Sequence, residues 1–448
     1  MLRLPAIVLL LGTLSVAAIT AQNLSIDLER FLDLVERNSL DLTRARAEQR
    51  QAGTEQAIAR AQTRPSLNAQ AGYTRNLMQI ESSVPAGADV TGDPAEFAPL
   101  IFEERVVSND NEISAGVSLQ QLLFDLRVFR ALEASRRFTS MTAVTYEATR
   151  QAVVTAAKKL FYRTILLAEV LEVRRESEQL AFENYQDVQR RHDAGVATPL
   201  DLLRAELNWR TTVPETSQAD RNLQIALSNL KSIAGIEPGV SIRLEGTLES
   251  YPQMPRIEPL ESVLTERPDY QALRGMRSLR EIEVAAGRAE FYPRLSGSVS
   301  WGWSAADDGF NFDDGTASLT AGLQLQLPLY SGGGRAARLQ RSRLEVEKVE
   351  SEIEQKINDV RTELRNVELT LLEADQRIEM AQQALETAEL AYSITETSVD
   401  AGVSTQLELK DARVSLVQAR LTYYSAVFDY LSAYFDWQQT TGRGADGL

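Results

Sequence analysis

The phrase DAGVATPLDL, Asp193 to Leu202, returns near the other end of the chain as DAGVSTQLEL, Asp400 to Leu409. Aligning Asp193 to Ala205 with Asp400 to Ala412 gives eight identities in 13 positions, and a repeat at that distance means the chain is built twice from one unit. Two further anchors fall into the same frame. AGVSLQQLLFD (Ala115 to Asp125) matches AGLQLQLPLYS (Ala321 to Ser331), and RPSLNAQAGY (Arg64 to Tyr73) matches YPRLSGSVSW (Tyr292 to Trp301). Each unit reads as helix, strand, loop, strand, long helix, tip turn, helix. The expected organisation is a first repeat over 22–235, a linking segment over 236–260, a second repeat over 261–440 and a tail over 441–448.

Four segments alternate at period two. Leu67, Ala69, Ala71 and Tyr73 share one strand face, against Asn68, Gln70, Gly72 and Thr74 on the other. Ile113, Ala115, Val117 and Leu119 alternate with small or polar residues, as do Leu295, Val299, Trp301 and Trp303, and Leu319, Ala321, Leu323, Leu325 and Leu327. Strands of about ten residues with one apolar and one small, polar face fit an outer-membrane barrel; a half-buried soluble sheet shows the same alternation. Tyr73, Phe124, Trp301, Trp303 and Tyr330 lie near the expected strand ends, where a membrane interface would collect aromatics, although aromatics are also ordinary strand formers. The connections Glu81 to Asp110 and Ala305 to Thr316 are acidic and rich in Gly or Pro, as exposed outer loops are. Four strands cannot close a barrel in lipid, so several copies of the chain must share one.

The long helices constrain the rest. From Ile353 to Tyr392 apolar residues recur at alternating steps of four and three, a 3.5-residue repeat that demands left-handed coiled packing. Val154, Ala157, Phe161, Ile165 and Ala168 form a looser stripe in the first unit. No proline interrupts about 127–191 or about 335–399, which predicts helices of roughly 100 Å each at 1.5 Å per residue. Each ends at a DAGV phrase. There Gly195 or Gly402 turns the chain, and Thr198 or Thr405 caps an antiparallel helix, with Pro199 at the favoured first position in the first unit.

Composition removes other readings. A formal charge of −16 argues against a nucleic acid as the main partner. Without cysteine there is no disulfide, thiolate metal site or cysteine-linked lipid anchor, and with one histidine, His192, no metal cluster or nucleophilic triad is expected. No catalytic residue, metal or cofactor is therefore assigned. An exposed histidine at a helix end is ordinary, and a pH-responsive tip is the lesser reading of His192. The first 21 residues, with Arg3 followed by the apolar run Leu4 to Ile19 and small residues near Ala21, predict a cleaved secretory signal peptide rather than an N-terminal anchor.

The signal sequence, the duplicated strand and long-helix unit, and the Gly-Val tips followed by an acidic residue together resemble the TolC-type outer membrane efflux proteins. The resemblance covers essentially the whole mature chain through the order and duplication of its parts. It implies an α+β membrane protein, a homotrimer whose shared 12-stranded outer-membrane β-barrel is continuous with a periplasmic α-helical coiled-coil barrel. It also implies an exit duct for a tripartite efflux pump or type I secretion system, with a periplasmic adaptor protein, an inner-membrane pump and outer-membrane lipid as partners.

By alignment on the tip glycine, the resemblance makes Ala194, Gly195, Val196, Ala401, Gly402 and Val403 the adaptor-contacting tips, although turn geometry alone would also explain them. Glu408 and Asp411, at i and i+3, match the acidic positions that ring the periplasmic entrance, and Asp201 is the first-unit counterpart, beside Arg204 as a local partner. A solvated acidic face is the competing account. In a ring, mutual repulsion would raise the carboxylate pKa values. Where the family's closed gate has a tyrosine and an arginine, this chain has Val399 and Ser404, so any closed state is held differently. The alternative to a duct is a secreted or periplasmic coiled-coil scaffold without channel activity.

Overall fold

The structure is a computed structural model and describes residues 24–78, 81–88, 100–106 and 108–445. The expected signal peptide, 1–21, lies outside the described residues. The elements are β1 (Leu24–Ile26), α1 (Leu28–Asn38), α2 (Leu40–Ala61), β2 (Ser66–Arg75), β3 (Glu81–Ala88), β4 (Leu100–Val106), β5 (Asn111–Phe124), α3 (Leu126–Asp193), α4 (Pro199–Ala234), β6 (Ile242–Leu244), α5 (Leu260–Glu266), α6 (Pro268–Ala289), β7 (Arg294–Asp307), β8 (Thr316–Gln326), α7 (Gly334–Asp400) and α8 (Gln406–Thr440). The expected order of each unit is present. The connection read as an outer loop differs, because β3 and β4 form an antiparallel hairpin within it. Its alternation is broken by Pro85 and Gly87, where the register shifts, and a proline inside a strand hides it from a period-two reading.

The chain divides into two compact units, each assembled from separated stretches. One comprises Gln49–Thr142 and Leu273–Glu352. Its sheet has the order β2-β5-β7-β8, all antiparallel, so the two sequence repeats meet where β5 pairs β7. The register aligns the alternating residues of all four strands. Ala69, Val117, Trp301 and Leu319 lie in one row, and Gln70, Gly116, Gly302 and Ser318 in the next. One face of the sheet is therefore apolar across its width, and the other carries small and polar side chains. A bulge between Leu122 and Phe124 shifts the β5 register against β7 and sets Phe124 opposite Leu295.

The other unit comprises Met1–Glu48, Ala143–Ala272 and Ile353–Leu448, and holds the main core. Phe31, Val35, Phe161, Ile165, Leu230, Tyr430 and Phe435 are buried together, and a parallel pair of β1 with β6 closes the edge of this core. The 3.5-residue stripe of α7 is the buried one. Val360, Leu364, Leu371, Ala374, Ile378 and Ala381 are buried, whereas Glu363, Asn366 and Glu373 between them are exposed. Burial of the Tyr430 ring beside Asp375 pushes its phenol up to about 12. Among the described residues no helix is long and apolar enough to cross a membrane.

Candidate functional site

Both tip turns are the same object. Gly195 and Gly402 adopt φ of 73° and 75°, the left-handed region that a side chain disfavours. Val196 N–H donates to the Arg191 carbonyl at 2.8 Å and Gly195 N–H to the His192 carbonyl at 2.8 Å. In the second copy Val403 bonds Ser398 at 2.9 Å and Gly402 bonds Val399 at 3.0 Å. This pairing satisfies the last carbonyls of each long helix and throws the residue after glycine outward. Val196 and Val403 are 77% and 82% exposed as a result, and Ala194 and Ala401 are exposed beside them. His192 sits half-buried at the first tip, its Nδ1 3.7 Å from Asp193.

The acidic residues next to the tips have a structural task that the sequence reading did not anticipate. Thr405 N–H donates to Glu408 Oε2 at 2.7 Å and Glu408 N–H donates to Thr405 Oγ1 at 3.3 Å, a reciprocal cap at the start of α8. Thr198 and Asp201 repeat it at the start of α4, with Thr198 Oγ1 donating to Asp201 Oδ2 at 2.6 Å. Hydrogen bonds from Thr405 hold the Glu408 carboxyl below the usual range, and those from Thr198 do the same for Asp201. Within the chain the direction is thus opposite to the rise expected of a ring. Among the described residues no ion pair joins Asp201 to the exposed Arg204; the capping threonine takes the carboxylate instead. Asp411 is exposed on α8 one turn past Glu408. Val399 is buried, and Ser404 N–H donates to the Ser398 carbonyl, so both belong to the turn that ends α7.

On the sheet, Leu319, Leu323 and Leu325 are 69–75% exposed along β8, a density of bare leucine that water disfavours at about 25 cal/mol per Å². The aromatics divide. Tyr73 ends its strand with its hydroxyl donating to Asn111 Oδ1 at 2.7 Å and its ring stacked on Phe310. Phe124 ends β5 at the opposite end of the sheet. Tyr330 lies beyond β8, which stops at Gln326, and is fully exposed. Trp301 departs from the expected strand-end position, because β7 runs seven residues before it and six after, opposite Val117 and Leu319. Trp303 is half-buried against the Gly315 backbone, where any side chain would clash with the indole.

A buried ionic cluster escaped the sequence reading. Arg267, 7% exposed, donates to Asp269 at 2.7 Å, to Glu363 at 2.7 Å and to the Thr440 carbonyl at 3.1 Å; Lys356 reaches Asp269 at 2.8 Å. Burial alone would raise the Asp269 carboxyl, but the Arg267 guanidinium and the Lys356 ammonium outweigh it and hold it far below the usual range. Nearby in the same unit Lys158 is fully buried, donating to Gln438 Oε1 at 2.9 Å and the Gly444 carbonyl at 3.2 Å. The visible trace was Arg267-Pro268-Asp269, with a proline at the first position of α6. No group of His, Cys, Asp or Glu suited to a metal occurs among the described residues.

The chain is similar to curated bacterial envelope proteins. It is 25% identical over 244 residues to the alkaline protease secretion protein AprF of Pseudomonas aeruginosa, covering 52% of this chain and 49% of that one. With the outer membrane protein TolC of Escherichia coli the figures are 22% over 241 residues, 50% and 48%. The matched region thus spans about half the length of these relatives. The fold is that of the Campylobacter jejuni CmeC outer membrane channel, with a TM-score of 0.74 at 17% identity over 93% of this chain and 86% of that one. The Vibrio cholerae outer membrane protein VceC aligns at 0.71 and 19%, over 93% and 96%. A family model described as outer membrane efflux protein matches residues 31–236 and 260–443. The chain belongs to the outer membrane efflux protein family.

Proposed function

We propose that this chain is one subunit of an outer-membrane exit duct, passing substrates handed over by an inner-membrane pump and a periplasmic adaptor. The observation that carries the proposal is the sheet: four strands with one continuous apolar face, and with β2 and β8 as its edges. In lipid an open edge leaves backbone N–H and C=O groups unpaired at several kcal/mol each, so β8 of one copy must pair with β2 of the next. Three copies would give the 12-stranded barrel, with the small, polar face lining a lumen. The helices would then lie in the periplasm.

In this assembly the exposed Val196 and Val403, with Ala194, Gly195, Ala401 and Gly402, are the adaptor contacts. Glu408 and Asp411 line the periplasmic entrance, with Asp201 alongside. Relatives named for protease secretion and for efflux support the duct and leave the cargo open. A soluble scaffold would need a cover for the leucines of β8, and among the described residues none lies over them.

The test is the protein mass of detergent-purified material, measured by light scattering with the detergent contribution removed, together with its conductance in planar bilayers. A mass of three chains with a cation-selective pore is expected. A stable soluble monomer without detergent would overturn the proposal.

A further inference from the structure

Four short segments, 57–64, 125–137, 284–294 and 331–344, contain twelve arginines, no lysine, and as carboxylates Asp125, Glu133 and Glu290, with Glu283 and Glu345 directly beyond their bounds and facing the same cavity as Arg127, Arg338 and Arg341. In a chain of net charge −16 this is a local reversal of sign. Strand register brings the four segments together. Ser66 pairs Gln120, Phe124 pairs Leu295, and Arg294 pairs Gln326, so the start of β2, the end of β5, the start of β7 and the end of β8 lie at one end of the sheet. The arginine segments are the chain outside that end, reaching from Arg64, two residues before β2, along the first turns of α3 and α7 as far as Arg137 and Arg343.

The three carboxylates are already taken. Asp125 pairs Arg127 at 2.5 Å, Glu133 pairs Arg130 at 2.7 Å, and Glu290 pairs Arg338 at 2.7 Å. Arg64, Arg136, Arg137, Arg288, Arg341 and Arg343 are exposed and make no ion pair among the described residues. An ordinary solvated helix face interleaves both signs and uses lysine freely. Guanidinium alone, left unpaired, is the group that holds phosphate oxygens in a two-pronged bond.

The neighbouring surface says where the phosphates come from. The apolar face of the sheet runs to Leu67, Leu295, Leu325 and Phe124, and an arginine segment lies within three residues of Leu67, Leu295 and Phe124 and six residues beyond Leu325. A hydrocarbon-facing band bordered by unpaired cations is the profile of a bilayer edge, where each arginine near an anionic surface contributes about 1 kcal/mol. We propose that this arginine collar docks on the phosphodiester headgroups of the phospholipid leaflet on the helix side of the barrel, and that it prefers anionic phospholipid there. The inference rests on the barrel reading given above.

The test uses the full chain, incorporated into vesicles of equal phosphatidylcholine and phosphatidylglycerol, extracted in mild detergent, with the phospholipid that stays bound quantified by class. The expected result is an enrichment of phosphatidylglycerol on the order of threefold or more that falls as salt rises. Combining Arg136→Gln, Arg137→Gln, Arg341→Gln and Arg343→Gln should abolish the preference while total bound lipid stays the same. The corresponding four Lys substitutions should keep most of it. Equal retention of both lipids by the native protein, or undiminished enrichment in the Gln variant, would overturn the collar. So would loss of the enrichment to inorganic phosphate at constant ionic strength, which would mark a site for free anions. If the protein instead binds almost no lipid and stays monodisperse without detergent, the barrel reading itself fails.

Discussion

Thr405 and Glu408 each donate a backbone N–H to the other's side chain, at 2.7 and 3.3 Å, and so the carboxylate beside the tip both starts α8 and presents a charge. Thr198 and Asp201 stand in the same relationship at α4. The pair allows cap and charge to be separated. Glu408→Gln should keep the reciprocal cap and lower cation selectivity of the reconstituted pore. Thr405→Ala should keep the charge and loosen the first turn of α8 by about 1 kcal/mol, read as faster amide exchange over 405–409. Unchanged selectivity in Glu408→Gln, with or without a loss in Thr405→Ala, would show that Glu408 acts only as a cap.

The buried cluster around Arg267 predicts an acid limb. The Arg267 guanidinium and the Lys356 ammonium hold the Asp269 carboxyl well below its ordinary range in the folded chain, so its contribution is present above the unfolded pKa, about 3.9, and disappears as pH falls through the folded one. Urea titrations should show stability declining below about pH 4, and Asp269→Asn should flatten that decline. Arg267→Ala should cost about 2 to 3 kcal/mol, less than a fully buried pair because Asp269 and Glu363 are 36% and 45% exposed.

The two faces of the sheet should respond oppositely to charge. Leu319→Arg places a cation on the apolar face in the row of Trp301 and should cost about 2 to 4 kcal/mol in a bilayer, seen as loss of assembled trimer from outer membranes. Thr320→Arg, one residue on and on the other face, should assemble normally and change conductance. Equal assembly of both variants would mean that the Leu319 face does not meet lipid.

At the tips, Gly402→Ala meets no atom within 4 Å, so its cost is conformational alone, about 1 kcal/mol at a φ of 75°. Val403→Asp should leave thermal stability unchanged and abolish mild-detergent co-purification of the cognate adaptor. Retained co-purification would show that Val403 is only a turn residue.

What the sequence determined by itself was what depends on near neighbours. Period-two alternation located β2, β5, β7 and β8, the 3.5-residue stripe located α7 and its buried side, and Gly195 and Gly402 followed by threonine located both hairpin tips. Each of these is a preference of a few consecutive residues for one backbone geometry, so it can be read in order. Tertiary structure decided what joins distant residues: the pairing of β5 with β7 across the repeats, the convergence of four arginine segments at one sheet end, and the meeting of Arg267 with Glu363 and the Thr440 carbonyl. The use of Asp201 and Glu408 as caps was within reach locally, but their acidity suggested an entrance first, and only the hydrogen-bond geometry revealed the second role. Pairing partners far apart in the chain are chosen by the free energy of burying apolar surface while leaving no backbone group unpaired, and that choice belongs to the whole fold.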